Sequence, residues 1–191
     1  MTAITAGFPD RRHQIIRQGA TVVLGVAVMT LAAKTQIPFW PVPVTLQTLA
    51  VMAFAVGLGP RMATAIFAAY IMTGLSGMPV FAGSPERGLG LAYLIGPTGG
   101  YLLGCLAASW LIGVMASGKA LLGRIAAMLA GTAAIYGCGL AVLAAYVPAG
   151  QLLPVGVAPF VLGDLLKIAL VAAGSQMIPL VRKGRGRASG A

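Results

Sequence analysis

Ala158-Pro-Phe-Val-Leu-Gly-Asp164-Leu-Leu-Lys167-Ile-Ala-Leu-Val-Ala-Ala173 is an apolar run interrupted by one acid and one amine. The two are three residues apart, a spacing that on a helix places both side chains on one face, about a turn from each other. A charged group at the centre of a membrane helix costs roughly 2.5–3.5 kcal/mol on insertion scales, so such groups face a partner or a watered cavity. With a helix starting near Pro159 and a rise of about 1.5 Å per residue, Asp164 lies roughly 8 Å inside its first end, and Arg182 roughly 22 Å beyond Lys167. Lys167 therefore cannot snorkel to the far surface. One reading is a self-satisfied ion pair that orders a bundle. The other is a polar ligand that meets Asp164 and Lys167, the usual meaning of an intramembrane ionisable pair.

The composition of the other residues supports a lipid setting. Of 191 residues 59% are hydrophobic and only 8% are charged, which excludes a soluble domain of ordinary make-up. The 27 glycines and 12 prolines lie among hydrophobic runs, as suits close helix contacts and interrupted helices. A net charge of +10 in a soluble chain would point to nucleic acid. Here the basic residues sit in short segments between apolar runs, with no basic face interleaved with aromatics, so their placement reports topology. Cys105 and Cys138 match no zinc or CxxC spacing and read as small core residues. His13, the one histidine, lies in a charged tail, which leaves neither a His-based metal site nor a catalytic triad. No nucleophile–base constellation or carboxylate cluster argues for an enzyme. Arg11-Arg12 ahead of an apolar run imitates a signal sequence, but the run passes into a polar, aromatic loop without a small-x-small cleavage site and reads as a span.

The expected architecture is an all-α integral membrane protein with six transmembrane helices. A tail of residues 1–18 precedes a membrane domain of residues 19–181, and a basic tail follows at 182–191. The spans run over about 19–33, 44–58, 62–76, from the Gly96 motif to near Ser117, from the Lys119/Arg124 turn to about Tyr146, and from about 158 to before Arg182. Several are shorter than the roughly 20 residues that cross about 30 Å of hydrocarbon. That predicts tilt, a thinned bilayer, or irregular loops packed inside the protein, and the Pro-rich first loop and Gly/Pro-rich third loop are the candidates for such packing. Arg11, Arg12, Arg17, Arg61, Lys119, Arg124, Arg182, Lys183, Arg185 and Arg187 share one side, ten of thirteen basic residues. The positive-inside rule puts that side, with both termini, in the cytoplasm and loops 1, 3 and 5 outside.

Three stretches supply candidate chemistry on the outer side. In Pro41-Val-Pro43-Val-Thr45-Leu-Gln47-Thr48 the hydroxyl of Thr45 suits a helix cap, and the carboxamide of Gln47 suits a ligand. Phe39 and Trp40 are equally readable as an interfacial belt or as stacking surfaces. Gly96-Pro-Thr-Gly-Gly-Tyr101 lacks phosphate-loop spacing. Its Gly96, Gly100 and Gly104 recur every four residues, a face for close helix approach, and Tyr101 is either a packed ring or a hydroxyl donor. Glu86-Arg87 is either a solvated pair or a clamp whose guanidinium closes over a carboxylate. Thr21-x-x-x-Gly25 is a small-residue face for internal packing or for another membrane subunit.

The motifs Pro41-Val-Pro-Val-Thr-Leu-Gln-Thr48, Met78-Pro-Val-Phe81-Ala-Gly83, Gly96-Pro-Thr-Gly-Gly-Tyr101 and Pro159-Phe-Val-Leu-Gly-Asp164-Leu-Leu-Lys167, in this order, resemble the BioY family, the biotin-specific substrate-binding components of energy-coupling-factor (ECF) transporters. The resemblance covers nearly the whole chain apart from the tails. It implies a six-helix protein of the cytoplasmic membrane that captures biotin from outside and associates with a transmembrane coupling subunit and two cytoplasmic ATPases, with Thr21 and Gly25 as docking residues. The candidate substrate-binding set is Phe39, Trp40, Thr45, Gln47, Phe81, Arg87, Tyr101, Asp164 and Lys167, and its chemistry is compatible with biotin. In that set Asp164 is expected to accept from the ureido N–H groups, Lys167 to neutralise Asp164 and donate to a ligand oxygen, and Phe39, Trp40 and Tyr101 to cover the apolar part. Biotin is cargo, no cofactor is implied, and ATP is used only by partner chains, because this sequence has no Walker A motif. The rival reading is a stand-alone secondary carrier of biotin or another small carboxylate, with Asp164 coupling proton movement.

Overall fold

A computed structural model describes residues 11–38 and 40–188; Phe39 and most of the expected N-terminal tail lie outside the described residues. The chain forms α1 (Arg11–Lys34), a two-residue antiparallel hairpin of β1 (Gln36–Ile37) and β2 (Val44–Thr45), α2 (Gln47–Leu58), α3 (Pro60–Leu75), α4 (Gly90–Ile95), α5 (Gly99–Ala116) and α6 (Leu121–Leu143). A 3-10 turn at Ala149–Gln151 then leads into α7 (Leu152–Gly156) and α8 (Ala158–Ala188). Among the described residues, four stretches are long and apolar enough to cross a membrane: Arg12–Lys34, Gly99–Ala116, Leu121–Leu143 and Ala149–Gln176. The second and third expected spans are helical but shorter, with 12 residues in α2 and 16 in α3. At about 1.5 Å per residue they reach roughly 18 and 24 Å, less than a hydrocarbon core of about 30 Å. α1 begins at Arg11, eight residues ahead of the expected first span, and α8 continues past residue 181.

Local chemistry explains the breaks. Gly59 takes φ +81, a left-handed conformation that a side chain disfavours, and Pro60 then occupies the first turn of α3, where its missing N–H is no loss. Three prolines between Pro38 and Pro43 keep the first loop from continuing α1, and the chain reverses through the small hairpin instead.

α5 is the central helix, packed on α2, α3 and α6. Its contact with α6 depends on small residues. A Cβ on Gly100 would lie 2.4 Å from the Cys138 carbonyl oxygen, and one on Gly104 would lie 2.7 Å from the Ile135 Cα. Gly96 does not share this face, because it caps α4 before α5 begins. Gly25, expected on a small-residue face, is turned inward: a Cβ there would lie 2.7 Å from the Ile66 side chain of α3. The Thr21 hydroxyl donates back to the Arg17 carbonyl at 2.8 Å. Cys105 is buried as expected, whereas Cys138 is exposed.

One end of the bundle is closed by irregular chain. Pro41, Val42 and Pro43 are buried, as are Val80, Phe81, Ala82 and Ser84, so the first and third loops are packed into the protein. Their polar backbone is satisfied by neighbours, as burial demands. Lys34 donates to the Ser84 carbonyl at 2.6 Å and to its hydroxyl at 3.1 Å, and Arg87 donates to the Pro41 carbonyl at 2.8 Å. Phe81 lies between Tyr70 and Tyr93, with ring centroids 5.5 and 4.8 Å away, and Tyr70 donates to the Val80 carbonyl at 3.1 Å.

This aromatic anchor rests on Gly74, where an added Cβ would lie 2.0 Å from the Phe81 ring. The ring is stacked on Tyr93 and meets Tyr70 edge-on, so it has little room to swing away. Gly74→Ala is therefore expected to destabilise the detergent-purified protein by about 1–3 kcal/mol, the usual cost of overpacking. Gly137, where an added Cβ would meet nothing within 4 Å, is the control: Gly137→Ala should leave stability level or slightly raised. Thermal unfolding of the two variants side by side is the measurement, and equal midpoints would remove the anchor.

Candidate ligand-binding cavity

At this closed end, a space of about 570 Å³ lies between the first loop, the third loop and helices α2, α4, α5, α6 and α8. Its walls are largely apolar. Val42 and Pro43 come from the first loop, Ala82 from the third, Leu102 and Cys105 from α5, and Ile135 from α6. Tyr93, Tyr101, Tyr136 and Phe160 add aromatic surface, and Thr45, Gln47, Thr48, Thr98, Asp164 and Lys167 supply the polar groups.

Asp164 and Lys167 are 3% and 7% exposed, and their ion pair spans 2.9 Å between Nζ and Oδ1. Burial of this kind is tolerable only when the remaining donors and acceptors are used. Lys167 has three N–H bonds, and all are taken: by Asp164 Oδ1 at 2.9 Å, the Thr45 carbonyl at 2.7 Å and Thr48 Oγ1 at 2.9 Å. Thr48 in turn donates to Asp164 Oδ1 at 2.8 Å, and the Tyr136 hydroxyl donates to Oδ2 at 2.7 Å. An ionised carboxylate accepts about four hydrogen bonds, so one accepting direction remains on Oδ2. The lysine is thus a neutralising and positioning group without a spare donor, while the aspartate retains an acceptor.

The spare donor belongs to Gln47. Its side chain is 8% exposed, lines the cavity, and its Nε2 has no hydrogen-bond partner among the described residues. A buried, unsatisfied polar group costs about 1–3 kcal/mol, so such a group in a native fold calls for an explanation. Thr45 serves two ends: its Oγ1 accepts the Gln47 backbone N–H at 3.2 Å, although the N-cap position of α2 itself is Leu46, and its carbonyl receives Lys167. The Tyr101 ring lies along the cavity over Gly139, and its hydroxyl donates to the Gly156 carbonyl at 2.8 Å, so it offers the cavity its ring and not its O–H.

The structure brings five of the sequence-derived residues to this cavity, namely Thr45, Gln47, Tyr101, Asp164 and Lys167. Three others lie elsewhere. Phe81 is 1% exposed inside the aromatic anchor, where it supports the third loop. Trp40 is 71% exposed, and Arg87 lies off the lining, bound to the first loop through Pro41. Phe39 is outside the described residues. Sequence reasoning passed over Thr48, Tyr136 and Phe160 as site residues. Thr48 lies in the quoted Pro41–Thr48 motif one turn beyond Thr45, and Tyr136 is, with Thr132, one of two hydroxyls within an apolar helix, a signal that a polar partner lies opposite.

Among the described residues no group of three or more His, Cys, Asp or Glu forms a metal site. An apolar-walled cavity with one free donor and one free acceptor, set in a bundle of membrane-crossing helices, defines a membrane-embedded small-molecule-binding protein. The chain belongs to the BioY family, whose profile matches residues 5–183. It is 37% identical over 162 residues to the biotin transporter BioY of Thermotoga maritima, covering 84% of this chain and 92% of the relative. It is 33% identical over 153 residues to the probable biotin transporter BioY of Pyrococcus horikoshii, covering 80% and 90%. Its fold matches the crystal structure of the S-component for biotin from an ECF-type ABC transporter with a TM-score of 0.75, at 24% identity and over 91% of this chain and 95% of that one.

Proposed function

We propose that this protein captures biotin at the outer face of the cytoplasmic membrane and acts in its uptake as the substrate-binding component of an ECF-type ABC transporter. The reading rests on one observation: an unpartnered amide donor, Gln47 Nε2, and a carboxylate with an accepting direction left, Asp164, line the same apolar cavity. Biotin carries the complement. Its ureido ring offers a carbonyl oxygen to Gln47 and an N–H to Asp164, and its bicycle and chain offer apolar area to Tyr101, Tyr136 and Phe160. Because Lys167 has no N–H to spare, the ligand carboxylate lies away from it, toward the loop-lined mouth. The names of the relatives and of the matching solved structure support the same cargo.

In this reading all six helical stretches lie in the membrane, with α2 and α3 accommodated by tilt or local thinning. Both termini and the Arg61 and Lys119/Arg124 turns face the cytoplasm, and the cavity opens outward beneath loops 1 and 3. A transmembrane coupling subunit and two cytoplasmic ATPases supply the energy, since this chain has no Walker A sequence. The experiment is thermal unfolding of the purified protein with added biotin or lipoate. Lipoate shares the carboxylate and an alkyl chain but has no ureido ring. Biotin is expected to raise the midpoint while lipoate does not, and equal protection by both would overturn the ureido assignment.

A further inference from the structure

On the far side of Tyr136 from the ligand cavity lies a second space, a groove of about 470 Å³ between α6 and α8, bordered by Leu129, Ala133, Val161 and Leu165. Tyr136 and Asp164 border both spaces, so this residue pair forms the partition between them. The ring packs against both apolar clusters of the core, which places it but leaves the direction of its hydroxyl to polar contacts. What fixes its tip is the hydrogen bond from its hydroxyl to Asp164 Oδ2 at 2.7 Å. The converse also holds. Oδ1 of Asp164 is held by Thr48 and Lys167, whereas Tyr136 is the partner found for Oδ2 among the described residues.

We infer that Tyr136 is a positioning residue for ligand recognition: its hydroxyl holds the Asp164 carboxylate in the rotation that presents the remaining acceptor of Oδ2 to the cavity. The inference rests on the biotin reading above and deepens it, because it says which ligand group the positioning serves. A carboxylate held on one oxygen alone can turn about its Cβ–Cγ bond, and the acceptor then no longer points at a fixed place. Fixing the second oxygen removes that freedom before the ligand arrives, which lowers the ordering cost of binding. The beneficiary is a ligand N–H, since an ionised carboxylate accepts and does not donate. Tyr136 thus acts on the ureido N–H through Asp164, and not on the carboxylate or alkyl chain of the ligand.

The test compares two ligands on two proteins by titration calorimetry: biotin, and biotin methylated on its ureido nitrogens, with wild type and Tyr136→Phe. Phenylalanine keeps the ring and removes only the hydroxyl, and size-exclusion profiles with thermal unfolding confirm that the variant is folded. Loss of an oriented, charge-assisted hydrogen bond predicts an affinity for biotin lower by about ten- to a hundredfold. The methylated ligand has already lost that bond, so its affinity should change less than twofold and the preference for biotin should collapse. If Tyr136→Phe weakens both ligands by the same factor, the tyrosine only shapes the wall and the inference falls. It falls equally if neither ligand is affected. Should wild type fail to bind biotin at all, the cargo assignment itself is lost, an outcome distinct from retained binding with an unchanged preference.

Discussion

Lys167→Met is expected to lower the stability of the purified protein by about 3–5 kcal/mol and to abolish biotin binding, because it leaves the Asp164 carboxylate buried without a counter-charge. The side chain removed is 7% exposed and ends in three hydrogen bonds, so neither water nor another cation takes its place. The informative comparison is the double variant Asp164→Leu with Lys167→Met. Replacing a buried ion pair by apolar groups of similar volume is often neutral for stability or favourable. The double variant should therefore recover most of the lost stability in detergent unfolding while remaining unable to bind biotin. That separation of folding from binding is the mark of a pair kept for recognition. A double variant that binds biotin as wild type does would make the pair a purely structural device.

Gln47→Leu is the second large effect, and its sign differs between two measurements. In the unliganded protein the amide Nε2 is buried without a partner among the described residues, so removing it relieves a cost of about 1–3 kcal/mol and raises the unfolding midpoint. In the complex the same change deletes the donor assigned to the ureido carbonyl, and affinity should fall about ten- to a hundredfold, roughly 1.4–3 kcal/mol. Opposed signs of this kind arise where a site keeps a polar group unsatisfied until its ligand arrives. Thermal unfolding without ligand and calorimetry with biotin together decide the matter. A variant that loses stability while binding biotin at full affinity would place the Gln47 donor outside recognition.

The polar network also presents its recognition groups without offering a mobile charge. Lys167 and Asp164 together carry no net charge, and Thr45 of β2 and Thr48 of α2 complete the lysine's shell. The first loop and α2 therefore hold the ion pair of α8, and the third loop closes over them through Ala82 and the Phe81 anchor. Loop sequence and recognition chemistry are in this way one unit. Movement of the first loop would alter the Thr45 carbonyl that receives Lys167, along with the shape of the mouth.

Much of this was readable from residue order. The apolar runs predicted a helical membrane protein, and the spacing of Asp164 and Lys167 predicted one helical face, because periodicity and the cost of charge in lipid act locally along the chain. Gly100 and Gly104 announced a close helix contact for the same reason. The residue order also held the Pro41–Thr48 motif that supplies Thr45, Gln47 and Thr48. What tertiary structure alone decided was direction. Phe81 and Arg87 sit in the third loop as prominently as any ligand residue, yet one is packed between two tyrosines and the other is turned to Pro41. Gly25 faces α3, and the Tyr101 hydroxyl goes to Gly156 and not to the cavity. Tyr136 meets Asp164 from 28 positions away, and Lys167 meets Thr45 from 122. Such meetings depend on how helices cross and which rotamers then fit, a property of pairs of surfaces that no single stretch of chain encodes.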